Sequence, residues 1–279
     1  MTPRIGGLRL AKVRPNDVQQ VLDAAIEGGL SPRSVVQIHR VLHAAFRQAV
    51  RWQAMTYNPS DGVTPPEVER SRPTIPNAAD VARLLAAVNP NYRPPIALAA
   101  ATGLRRSELC ALTWANVDLD GPHPSLHVAG GLHRVAGDLV VQPPKSEASE
   151  RDVPIPAAVA MLRRYRLEQT ERRLLAGPAW ADGDIVFDRG DGRPLDPDDL
   201  TRAFRAARTI AEIDCVRLHD LRHAFATLLV HAGDDPKLVS ELLGHGDPGF
   251  TLRVYVHPDD EAKSAAASAV GAVYGDALS

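Results

Sequence analysis

Cysteine is nearly missing from this 279-residue chain: Cys110 and Cys215 are the only two, they lie far apart, and they match no metal-ligand or redox spacing. A disulfide scaffold is thereby excluded, and both read as small buried apolar residues. Long apolar runs are missing too. No stretch approaches the ~20 residues that a bilayer span requires, and no apolar signal-like run follows the basic residues at the N-terminus, so no membrane partner is expected. Positive charge is also scarce in sum, with 32 Lys and Arg against 34 Asp and Glu for a net −2, which by itself argues mildly against a polyanionic partner. Its distribution says something else. Between Met1 and Gln53 stand Arg4, Arg9, Lys12, Arg14, Arg33, Arg40, Arg47 and Arg51 against only Asp17, Asp23 and Glu27, while acidic residues crowd Asp182 to Asp199 and Asp259 to Glu261. There is no internal repeat or low-complexity tract.

What is present fits two domains. Residues 15 to 27 (PNDVQQVLDAAIE) read as a helix closed by Gly28-Gly29. A second helix starts with Ser31 as N-cap and Pro32 in the first turn, and Val35, Ile38, Leu42, Ala45, Phe46 and Ala49 form its apolar stripe. Arg40, His43, Arg47 and Arg51 recur at three- and four-residue spacing on another face, either a solvated charged face or a set of phosphate contacts. Five prolines and several polar residues between Asn58 and Asn77 predict an extended connection without regular structure. The expected division is a helical front domain, 1–57, a Pro-rich linker, 58–76, and a larger domain, 77–279.

In the larger domain Asn77 caps a helix (AADVARLLAAV), PPIALAAATG forms another that ends at Gly103, and RRSELCALTW a short third. Three short antiparallel strands are expected between 125 and 155 (SLHVAG, GDLVVQ, RDVPIP), with Lys145 between the second and third. Helices over 157–176, 198–211, 219–232 and 236–243, a short piece holding Tyr255 and an Ala-rich tail helix over 260–273 complete the reading. The fold class is mainly α with a small antiparallel β-sheet (α+β).

Three segments carry ionisable groups where a plain core helix would be better without them: TGLRRSELCALTW, HDLRHAFATLL and LLGHGDPGFTLRVYVH. Singly each has a bland reading. Arg105 and Glu108 have the spacing of a surface pair, and Gly244-His245 suits a helix C-cap with a dipole-favoured histidine. Tyr255 has the bland reading of a core or interface aromatic, and Tyr274, which has no neighbouring His or Gly-His, is the control for it. His219 and His223 are spaced like zinc ligands, but Asp220 stands where a zinc hydrolase places its catalytic Glu, so no metal is expected and His223 is read as an orienting hydrogen-bond group.

Taken together and in order, Arg105, Lys145, His219, Arg222, His245 and Tyr255 resemble the active-site set of the tyrosine recombinase family, the phage-type integrases. HDLRHAFAT and LLGHGDPGFTLRVYVH, with a Tyr ten residues beyond the His of a Leu-Gly-His turn, carry the resemblance most strongly. TGLRRSEL, WANVDLD, PPKSEASERDVPIP and GRPLDPDDLTRAF also fit, and the likeness runs over residues 15 to 258. It implies a site-specific recombinase of a phage or mobile element that cuts and rejoins DNA through a 3′-phosphotyrosyl intermediate with a free 5′-hydroxyl. It further implies a front domain of the core DNA-binding type, here shortened and without an arm-binding module, so that Arg40, His43, Arg47 and Arg51 become DNA contacts. The implied partners are double-stranded DNA with two paired recombination sites, further copies of the chain as a homo-tetramer on DNA and a monomer free of it, and DNA-bending accessory proteins. The implied location is the cytoplasm of a bacterium, at the nucleoid, and the tail helix DDEAKSAAASAV is expected to couple protomers.

These residue types suit that chemistry. A phosphodiester repels nucleophiles and spreads negative charge over its equatorial oxygens in the transition state, so the site must present cations, and Arg105 and Arg222 supply permanent planar forks. No cofactor or metal is then expected. The Tyr255 phenol, with a reference pKa of about 10, must lose its proton during attack, for which His219 is the base; His245 donates to a phosphate oxygen, and Lys145 delivers a proton to the departing 5′ oxygen. Glu108 braces Arg105 rather than reacting. Two other readings compete: a truncated DNA-binding remnant without recombination activity, and a tyrosine-based DNA relaxing enzyme.

Overall fold

A capping side chain followed by proline opens several of the helices. Ser31 precedes Pro32, Asp196 precedes Pro197 and Asp235 precedes Pro236, and each capping oxygen accepts a backbone N–H of the first turn, from Ser34, Asp198 and Lys237 respectively. The proline lacks the N–H that would have gone unpaired there, and its fixed φ already suits a helix. A computed structural model describes residues 2–68, 74–144, 146–213 and 215–244, and the chain divides into two units at 72/73.

The front unit holds α1 (Thr2–Ile5), α2 (Pro15–Glu27) and α3 (Pro32–Arg51). Val18, Leu22 and Val35 are fully buried between α2 and α3, with Leu42, Phe46 and Ala49 beside them; Ala45 of the expected stripe is exposed instead. Pro59–Gly62, expected as part of an extended linker, is a 3-10 turn packed on α2 and α3. Side chains explain the difference. Asn58 accepts from the Ser60 N–H and donates to the His43 carbonyl, and His43 Nε2 pairs with Asp61 Oδ1 at 2.9 Å, so local polar bonds fold a proline-bearing segment against the helices.

In the second unit, Asn77 and Asp80 reciprocally cap α4 (Ala78–Ala87). There follow α5 (Arg93–Thr102), α6 (Arg106–Ala111), β1 (Val117–Asp118), β2 (Ser125–Val128), β3 (Gly131–Val135), β4 (Asp138–Gln142), β5 (Arg151–Pro154), α7 (Val159–Ala176), α8 (Pro197–Ile210), α9 (Asp220–His231) and α10 (Pro236–Leu243). The described residues are mainly helical, with two small antiparallel sheets, β1-β2-β5 and β3-β4. Ile96 and Leu98 of α5, Leu109 of α6, Leu126 of β2, Leu162 of α7 and Leu200 of α8 are wholly buried in a shared core.

Two sequence expectations need correction here. Residues 125 to 155 hold four strands, not three, because Gly131–Val135 pairs with Asp138–Gln142 through a two-residue turn at Ala136 and Gly137, both at positive φ. Cys215 is exposed, at φ 66 in the connection from α8 to α9, whereas Cys110 is buried as expected. The helical piece around Tyr255 and the tail helix over 260–273 lie outside the described residues.

Candidate active site

The last carbonyls of an α-helix have no partner within it and sit at the negative end of its dipole. At the end of α10 three consecutive carbonyls are met by three guanidiniums. Arg151 Nε donates to the Leu242 carbonyl at 2.6 Å, Arg222 Nη2 donates to the Leu243 carbonyl, and Arg105 Nη2 donates to the Gly244 carbonyl at 3.0 Å. The donors come from the N-cap of α6, the start of β5 and the first turn of α9. Gly244 closes α10 at φ 63, and a Cβ there would stand 2.9 Å from Arg151 Nη1 and 3.0 Å from the Ala148 carbonyl, so backbone conformation and crowding both select glycine.

Glu108 ties two of these arginines together. Its side chain is 7% exposed, and its two oxygens accept from the Arg105 N–H (2.8 Å), Arg105 Nη1 (2.6 Å), Arg151 Nη1 (3.3 Å) and Arg151 Nη2 (3.1 Å). Burial alone would push its carboxyl up; the hydrogen bonds and charge of Arg151, then those of Arg105, outweigh it and hold the carboxyl below the usual carboxylate range. Glu108 is thus a saturated anionic brace.

Arg222, 2% exposed, also donates from Nη1 to the Gly103 carbonyl at 2.8 Å. Gly103 ends α5 at φ 65, and a Cβ on it would lie 2.7 Å from Phe225 of α9 and 3.0 Å from Leu243. The close approach of α5 to α9 puts that carbonyl within reach of Arg222. His219 is the N-cap residue of α9, and its ring meets that of His223 edge-on at 5.2 Å between centroids. Its imidazole is lowered to about 4, first by partial burial and then by His223 and Arg222, and His223 is lowered by burial first. The His219 residue as a whole remains exposed, so solvent screens these charges, and the imidazole is neutral at pH 7 and able to accept a proton. Asp220 turns into the core, where the Arg217 N–H and guanidinium bind its carboxylate. Among the described residues no cluster of three His, Cys, Asp or Glu could hold a metal.

Of the six residues singled out in the sequence, the structure places Arg105 and Arg222 on adjoining carbonyls and His219 one helical turn before Arg222. Lys145, His245 and Tyr255 lie outside the described residues. The segment bearing Lys145 links β4 to β5, which belong to different sheets. In the front unit Arg40, Arg47 and Arg51 are exposed along α3, whereas His43 is engaged with Asp61. Arg151 was missed by reading the sequence. The available signal was strand alternation, since Arg151 lies two residues before Val153, a core residue that is 1% exposed.

Comparison with known proteins gives this site a setting. The model of the phage integrase family matches residues 77–262, about two thirds of the chain. The chain belongs to the phage integrase family. An integrase of Streptomyces ambofaciens is 31% identical over 265 residues, covering 91% of this chain and 67% of its own. A XerC-like tyrosine recombinase of Caldanaerobacter subterraneus subsp. tengcongensis is 26% identical over 271 residues, covering 90% of this chain and 69% of its own. Among solved structures, the Tn1549 transposon integrase in complex with transposon right end DNA matches with a TM-score of 0.78 at 22% identity, over 96% of this chain and 89% of that one. A lambda integrase tetramer bound to a Holliday junction matches with a TM-score of 0.61 at 21% identity, over 88% of this chain and 66% of that one. At these identities the two structures speak for the fold. All six residues singled out from the sequence fall inside the stretch matched to the phage integrase family.

Proposed function

We propose that this phage integrase family member is a site-specific DNA recombinase that cuts and rejoins strands through a tyrosyl-phosphate ester on Tyr255. The observation that carries the reading is the meeting of Arg105 and Arg222, more than a hundred residues apart, on adjoining carbonyls beside a histidine held neutral. Two forks that converge in this way can clamp the nonbridging oxygens of one phosphodiester and stabilise the charge that develops there. In cleavage the Tyr255 oxygen bonds to phosphorus and the bond to the 5′ oxygen breaks; His219 takes the phenolic proton, Lys145 gives one to the leaving oxygen, and His245 donates to a phosphate oxygen. One phosphoester is exchanged for another, so no external energy source enters, and the reverse step onto a different 5′-hydroxyl completes strand exchange. The working unit is four copies on two paired duplex sites, with DNA-bending proteins assisting. Arg40, Arg47 and Arg51 of α3 contact phosphates, and the protein acts in the cytoplasm, where its DNA lies.

A pool of short duplexes of randomised sequence, each with one nick and a labelled strand, tests this directly. Cleavage near a nick releases a short fragment and traps the protein on the DNA, giving a labelled band that survives denaturation and is removed by protease. The wild-type chain should form it and Tyr255→Phe should not. Retention of the duplexes without any covalent band would favour the DNA-binding remnant, and cleavage without rejoining to a second duplex would favour the relaxing enzyme. The captured duplexes, once sequenced, identify the site.

A further inference from the structure

We propose that Arg151 is a positioning residue for strand cleavage: one buried fork fixes both the aim of Arg105 and the direction in which the chain leaves α10. This rests on the reading of Arg105, His245 and Tyr255 given above.

The Arg151 side chain is 7% exposed, and an ion with that little water is retained only where its donors are matched. Nε is spent on the Leu242 carbonyl, Nη1 on the Ser149 carbonyl and Glu108 Oε1, and Nη2 on Glu108 Oε2. A planar guanidinium can hold all of these at once; a lysine ammonium, a point donor, cannot.

The consequence for Arg105 follows from competition. Glu108 has about four acceptor positions, and Arg151 takes two of them. Arg105 therefore gives Glu108 only Nη1 and its backbone N–H, and its Nη2 reaches the Gly244 carbonyl. Without Arg151, the buried carboxylate would draw both arms of Arg105 into a bidentate pair and turn the fork from the end of α10. The same loss would free the Leu242 carbonyl, two residues before Gly244, after which the chain runs to His245. Arg151 touches neither phosphate nor nucleophile in this scheme and acts through Glu108 and α10.

The charged groups acting on Glu108 are Arg151 from β5 and Arg105 at the start of its own helix. Those on the other elements packed around α6 are directed elsewhere: Arg134 of β3 to Asp196, Asp198 of α8 to Arg106, and Arg222 of α9 to the Gly103 and Leu243 carbonyls, while His133 of β3 lies over Gly131.

The test uses the full chain and the nicked duplex captured above, with Arg151→Met, Arg151→Lys and Gly244→Ala compared with wild type. The last keeps the Arg151 charge but puts a methyl against Nη1, so it serves even where the Arg151 variants do not fold. All three should bind the duplex within about threefold of wild type yet form the covalent adduct on the order of 100-fold more slowly, the loss expected of a misaimed catalytic group. In Arg151→Met, the acid limb of the rate should also move to higher pH, because Glu108 has lost the stronger of its two counter-charges. Adduct formation within about threefold of wild type, or a slow variant whose pH limb is unmoved, overturns the proposal. Failure of the wild-type chain to form any adduct overturns the recombinase reading, and this inference falls with it.

Discussion

Glu108→Gln removes one negative charge and almost no volume. Arg105, with about a third of its side chain exposed, can turn part of its fork to water, but Arg151, at 7%, cannot. The amide oxygen can accept from one of the two Arg151 nitrogens that now face the carboxylate, and its NH2 would be set against the other. The main cost is an uncompensated buried guanidinium, which removal of one partner of a buried pair puts at about 3–5 kcal/mol. For a unit the size of 73–279 each kcal/mol moves the melting temperature by about 2–4 °C, so calorimetry near pH 7 should record a fall of roughly 6–20 °C. Glu108 is held below the ordinary carboxylate range in the fold, so its stabilisation is present above that range and is lost as pH falls through the folded value. The two melting curves should therefore draw together as the pH falls below the ordinary carboxylate range. A fall of less than about 2 °C near pH 7, or a gap of constant size across the acid range, would refute the claim that Glu108 is a buried anion balanced by Arg151.

Gly103→Ala must accept φ 65 and push a methyl into Phe225, so the α5–α9 contact that seats Arg222 should lose about 2–5 kcal/mol in urea unfolding; an unchanged midpoint would show that the helices yield freely. His219 and His223 are both held below the ordinary histidine value of 6.5, so the unfolded chain takes up these protons before the folded one does. Stability should fall with pH from about 6.5 toward 4, and less steeply in His219→Gln/His223→Gln, by urea melts at a series of pH values; equal slopes would sink the assignment. Replacing Arg40, Arg47 and Arg51 together by Gln should flatten the plot of log affinity for the captured duplex against log salt by about 2.7, since each lost phosphate contact removes about 0.9; a slope unchanged within error would place DNA elsewhere than on α3.

Helix starts were legible because they are local. Ser31-Pro32, Asp196-Pro197 and Asp235-Pro236 each satisfy an orphan N–H within three residues, and no tertiary contact is needed to read them. Gly103 and Gly244 were legible as helix ends for the same reason, but not for the second demand on each, the approach of Phe225 to one and of Arg151 to the other. The β3-β4 hairpin was lost because Ala136-Gly137 replaces the usual Asn-Gly, and a non-glycine at φ 51 is stabilised by the register around it, not by its own preference. Arg151 was hidden in the same way. A sequence shows that an arginine stands before a strand, but not that a carboxylate forty-three residues earlier and a helix end ninety-one residues later are folded onto it.

Net charge misleads here for a reason that the structure makes concrete. Each of the seven aspartates from Asp182 to Asp199 is engaged close at hand: Asp182 with Arg173, Asp184 with the Ala115 N–H, Asp188 with Arg172 and Gln169, Asp191 with Arg193, Asp196 with Arg134, Asp198 with Arg106 and Asp199 with Arg202. Six of these seven face an arginine, so they act as short dipoles whose field decays well within a Debye length of about 8 Å at physiological salt. On α3 the opposite holds. Arg33, Arg40, Arg47 and Arg51 are exposed, fall within a narrow arc at 3.6 residues per turn, span roughly 27 Å of helix, and have no carboxylate within ion-pair distance among the described residues. Their charges add along a line, as those of a phosphate backbone do, while the acidic run has already been cancelled where it stands. A chain with more acid than base can therefore carry a positive stripe, and the sum over the sequence is the wrong quantity from which to predict a polyanionic partner.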